Sequence, residues 1–143
     1  MPDNHIQLLI HAIKAIEYRF KKVTSGSNEN FGTFRMAPDT RNPNEIINHM
    51  FDLAEKTKTM LFNGHFIISP PGLLDFEGGK ERLVRGLQEL REVMATTNID
   101  IATAKKLLQG PILDITTHVG QIAMLNGLHG NKIPKESYYD AEM

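Results

Sequence analysis

Apolar residues recur at helical spacing in four separate stretches of the chain, and the polar positions fill the opposite faces. In the first, Ile6, Leu9, Ile10, Ile13, Ile16 and Phe20 form one stripe and predict a helix over residues 4–22. The second begins at "NPNE". Asn42 fits the N-cap, Pro43 the first helical position and Glu45 the reciprocal position of a capping box. Ile46, Met50, Leu53, Thr57 and Met60 then mark an inner face to about residue 63. The third runs from about 78 to 96 on Leu83, Val84, Leu87, Leu90 and Met94, with a charged outer face. Pro111 reads as the opening of the fourth, and Gly130 stands where a helix commonly ends.

The intervals between these stretches have no apolar period. Residues 23–41, "VTSGSNENFGTFRMAPDTR", make a long connection, and long connections in compact domains often shape a site. Gly64 and "SPPG" (69–72) break the chain again, and "HFIIS" (65–69) is the one short β-like run. "TNIDIATAKKLLQG" (97–110) reads as a linker with at most one helical turn. Four amphipathic helices in a chain of 143 residues predict an all-α four-helix bundle, one domain over 1–143, with its long connection between helices 1 and 2.

Composition changes this picture little. The apolar share of 41% and charged share of 23% are those of an ordinary globule. A formal net charge of −1, with no basic stripe, gives no footprint for nucleic acid. No apolar run is long enough to span a membrane, and the first residues lack the pattern of a signal peptide, so a cytoplasmic protein is expected. The absence of cysteine does matter: it removes disulfides, thiolate metal ligands and a cysteine nucleophile together.

The candidate chemistry lies in the fourth helix. "PILDITTHVGQIAMLNGLHG" (111–130) is oily and carries one full charge, Asp114. At 100° per residue, His118 lies only about 40° from Asp114 on the helix surface. Ile115, Ile122 and Leu125 share that side, so the pair is expected inside an apolar face, with Gln121 beside it. A buried carboxylate must be paired or bound to metal. Two arrangements satisfy this: a core Asp114–His118 hydrogen bond, or a ligand pair that needs a third donor from elsewhere. His129 shares the face of His118 but lies roughly 16 Å further along the helix. His49, at the shoulder of the second helix, is better placed. His5 and His11 read as surface residues, and Glu17, on the apolar stripe of the first helix, snorkels at the helix end or lines a cavity. Thr116, Gly120, Ala123 and Gly127 form a stripe of small residues, which suits a central helix or half of a dimer interface.

"DITTHVGQIAMLNGLHGNKIP" resembles the last-helix motif of the DinB-like (DinB/YfiT-like) metalloenzyme superfamily, roughly His-x-x-x-His-x-Gly-Gln-Ile followed by Gly and Pro. His118, Gly120, Gln121, Ile122, Gly130 and Pro134 match it in order. "NPNEIINHMFDLA" resembles the family's second-helix segment, with His49 at its histidine. The resemblance implies a four-helix bundle, commonly a homodimer, holding a divalent ion such as zinc, nickel or iron through His49, Asp114 and His118. The family usually has histidine where this chain has Asp114; two histidines and a carboxylate form the set used by non-haem iron. Characterised members imply a thiol-dependent S-transferase acting on small electrophiles with a low-molecular-weight thiol as cofactor, and Gln121 would line the cavity. A hydrolytic variant would need a general base, for which Glu17 is the available acid. The rival expectation is a metal-free helical bundle, a dimeric small-molecule-binding or interaction protein.

Overall fold

The computed structural model describes residues 2–66 and 69–143, so Ile67 and Ile68 of the β-like run lie outside it. Every regular element among the described residues is helical. Helix α1 spans Asn4–Val23 and buries Ile6, Leu9, Ile13, Ile16, Phe20 and Val23, as its period requires. Helix α2 spans Pro43–Asn63. Its start is the expected capping box: the Asn42 side chain accepts from the Glu45 amide at 2.9 Å, and Glu45 accepts from the Asn42 amide at 3.0 Å. Gly64 ends it with φ at 76°, a left-handed conformation that glycine adopts without steric cost. Helix α3 spans Phe76–Thr96, beginning earlier than its apolar stripe because Asp75 caps it through the Gly78 amide at 2.8 Å.

The segment read as a linker is helix. Asp100 caps α4 (Ile101–Leu107) through the Thr103 amide at 2.7 Å, and α4 runs through a π turn (Leu108–Ile112) into α5 (Leu113–Leu128). Pro111 therefore lies inside a helical rod and does not open one. Proline breaks a regular helix because it lacks the N–H that the ladder needs. Here the ladder is widened, with the Leu113 amide reaching back to the Leu108 carbonyl, so the missing donor is passed over.

Helices α3 and α5 each pack against both α1 and α2, which closes a ring of four rods around the core. Ile13, Phe20, Ile47, Met50, Leu87, Met94 and Ile122 lie at its centre, fully buried. Side-chain tethers fix the directions. The fully buried Asn126 donates to the Val23 carbonyl at 2.8 Å, and the His5 ring meets the Ile99 carbonyl at 2.6 Å, so α1 and the last rod run parallel. Asn48 and Arg82, both in early turns of their helices, are joined at 2.6 Å, so α2 and α3 are parallel as well. Parallel neighbours need a connection that returns the length of a helix. At full extension residues 64–75 can reach about 40 Å, against roughly 30 Å for α2. Its later part is held to the helices where Asn48 donates to the Pro71 carbonyl and Arg82 to the Gly72 carbonyl. No helix among the described residues is long and apolar enough to cross a membrane.

Candidate functional site

His49 leaves α2 at the edge of its buried face, between Ile46 and Met50, which are in the core. His118 leaves α5 beside the buried Ile115, Val119 and Ile122. Because α2 and α5 are neighbours, the two half-buried imidazoles meet edge to face, with ring centroids 4.9 Å apart. Burial lowers the pKa of His49, and the nearby charges of Arg41 and His118 lower it further, against a smaller opposing effect of Asp52. His49 is thereby held in its neutral form. The Nδ1–H of His118 donates to the Gln121 side-chain oxygen at 2.8 Å, so in the neutral ring the lone pair is on Nε2. Only a neutral imidazole binds a metal or accepts a proton, the form that burial favours at His49.

Asp114 departs from the arrangement expected of it. It is exposed on the first turn of α5 and makes no hydrogen bond or ion pair among the described residues, so the buried Asp114–His118 hydrogen bond is not formed. The cause is the composition of α5. That helix is apolar nearly all round, with Leu113, Met124 and Leu128 half or more exposed, so periodicity does not identify its inner side. The core takes Ile115, Val119, Ile122 and Leu125, and Asp114 turns outward. Gly120 and Gly127 of the small-residue stripe face open space.

Glu17 is buried, as its place on the stripe suggests, but in another seam. It pairs with Lys21 at 2.8 Å and with Arg91 of α3 at 3.2 Å, across the α1–α3 contact and not the α2–α5 contact that holds the histidines. His5, expected at the surface, is half-buried against Ile99, whereas His11 is exposed. The His129 ring packs against Phe31 and Phe34 near the end of the bundle.

A cleft of about 280 Å³ opens beside His118. Ile46, Met124 and Leu125 supply apolar wall, Gln121 a polar edge, and the long connection contributes Met36, Thr40 and Arg41. That connection is itself pinned. Arg35 donates to the Thr40 carbonyl and pairs with Glu45, both at 2.7 Å, and the Thr40 hydroxyl closes a turn onto Ala37. Arg41 and Met36 carry no sequence signal of their own: an arginine next to a helix cap and a methionine in a loop are ordinary, and only the folded connection brings them to the cleft.

Of the three ligands implied by the resemblance, the fold brings two together. No group of three or more histidine, aspartate or glutamate side chains among the described residues is close enough to hold an ion. The imidazole pair suits a divalent ion, since Gln121 fixes the His118 tautomer in the way carbonyl acceptors orient metal-binding histidines. Asp114 lies one turn before His118, exposed and without a partner among the described residues. No family model matches the sequence, and no curated protein or solved structure does.

Proposed function

We propose that this chain is a metal-dependent enzyme of the DinB-like kind, a thiol-dependent S-transferase acting on small electrophiles. The observation that carries the proposal is the meeting of the His49 and His118 rings, from two distant segments, beside an apolar cleft. His49 and His118 would hold a divalent ion, with Asp114 as the third donor. A bound ion would lower the pKa of a low-molecular-weight thiol and so supply a thiolate at neutral pH, which a chain without cysteine lacks. The protein's own part is positional. Gln121 holds the His118 tautomer, burial favours neutral His49, and the buried Ile46 and Leu125, with exposed Met124 at the edge, give the electrophile an apolar wall. Glu17, engaged by two cations in another seam, has no role as a base in this scheme.

The direct test is zinc uptake by equilibrium dialysis of the untagged protein and of His49→Ala. The parent takes up one ion per chain; His49→Ala loses it while keeping its helical circular dichroism. Retention of the ion by His49→Ala would remove His49 from the site.

One observation favours a second reading, a metal-free dimeric or small-molecule-binding bundle. The outer face of α5 exposes Leu113, Met124 and Leu128 around two glycines that nothing covers. Under that reading, sedimentation shows a dimer and dialysis shows no ion.

A further inference from the structure

Apart from Nε2 of His118, the polar groups left unspent at the cleft are donors. Arg41 is exposed at the mouth and forms no ion pair among the described residues. Glu45, whose carboxyl feels the charge of Arg41, is already engaged by Arg35 at 2.7 Å and by the Asn42 amide at 3.0 Å. The Thr40 hydroxyl is used within its own turn. Gln121 gives its oxygen to His118, which leaves its NH₂ free to donate. Among the described residues no aspartate or glutamate lines the cleft. Apart from the edge of the His118 ring, the rest of its walls is thioether or aliphatic: Met36, Ile46, Met124 and Leu125.

A cation and an amide donor at the rim of a small apolar slot select an anion with an apolar body. We infer that the cleft binds small amphipathic carboxylates, the carboxylate on Arg41 and Gln121 and the hydrocarbon between Met124, Met36 and Ile46. The inference rests on the proposed site in that it takes the same cleft as the substrate pocket, and it narrows the substrate class to carboxylate-bearing molecules. It needs no metal. Methionine walls adapt to different hydrocarbon shapes, so selectivity lies in the charged end.

The test uses the full chain in EDTA, which prevents a carboxylate from binding through an ion. Hexanoate, 1-hexanol and hexylamine are titrated separately and followed by amide chemical shifts. Hexanoate should move Gln121 and Met124 and bind about two- to fivefold tighter than hexanol, the range of a solvent-exposed ion pair. Arg41→Gln, an exposed and unpaired position that the fold does not depend on, should bring hexanoate down to the hexanol level and leave hexanol unchanged. Equal affinity for the three probes, preference for hexylamine, shifts confined to other regions, no binding, or an Arg41→Gln protein that still prefers hexanoate would each overturn the inference. Loss of the metal reading in the dialysis experiment leaves this result untouched, and failure here leaves the metal site standing, so the two are separable.

Discussion

The Gln121 side-chain oxygen accepts the Nδ1 proton of His118 at 2.8 Å, one turn along the same helix. That bond decides which nitrogen of His118 is free, and the free Nε2 is the one available to a partner of His49, whose ring lies 4.9 Å away between centroids. A glutamine at this place is thus more than a polar residue at the edge of an oily helix. It sets the chemistry of the histidine that faces the neighbouring rod.

Replacing Gln121 with leucine removes the acceptor while keeping the bulk. Loss of an outer partner of a metal-binding histidine typically costs 10- to 100-fold in affinity, and a weakening of zinc binding of about that size is expected for Gln121→Leu. Competition with a chromogenic chelator reads it. Unchanged affinity would mean that Gln121 does not orient His118.

Glu17 carries a different load. Its carboxylate joins Lys21 and Arg91 in the α1–α3 seam with its side chain 12% exposed, while Arg91 remains 23% exposed. Removing one member of a buried pair strands the other charge, at about 3–5 kcal/mol when the pair is fully dry. Water reaches Arg91 here, so a loss of about 1–2 kcal/mol is expected for Glu17→Ala. Urea unfolding measures it, and zinc uptake should be unaffected.

The α2 cap gives a pH dependence with a definite sign. The Asn42 amide and then Arg35 lower the pKa of Glu45 below its ordinary value. A carboxyl lowered on folding contributes stability above its unfolded pKa, about 4.3, and loses that contribution as pH falls through the folded value. Glu45→Gln keeps an acceptor and removes the charge. It should be less stable than the parent near neutral pH by about 0.5–1 kcal/mol, and the difference should close in acid. A gap that widens on acidification contradicts the sign. Paired thermal melts across that range decide it.

How far these features could be read from the chain follows from local chemistry. The α2 start was fully legible, because Asn42, Pro43 and Glu45 form a cap from three adjacent signals. So were the inner faces of α1 and α3, where charged residues mark the outside. The rod that ends in α5 was not. Pro111 imitates a helix start, and only a π turn, which has no sequence signature, carries the helix past it. In α5 itself an apolar residue on nearly every side erases the contrast on which periodicity depends, so Asp114 was expected inward and is found outward. The convergence of His49 with His118 was suggested by resemblance and depends on α2 and α5 being neighbours, which no local pattern encodes. Arg41 was invisible for the same reason.

The central claim is that His49 and His118 are the core of a metal site. Elemental analysis of the untagged protein, as purified and after incubation with zinc, nickel, manganese or iron followed by desalting, tests it most directly. The account predicts close to one divalent ion per chain in at least one of these preparations, abolished in His118→Ala. A protein that carries none and takes up none contradicts it, and would leave the His49–His118 contact as packing between two helices.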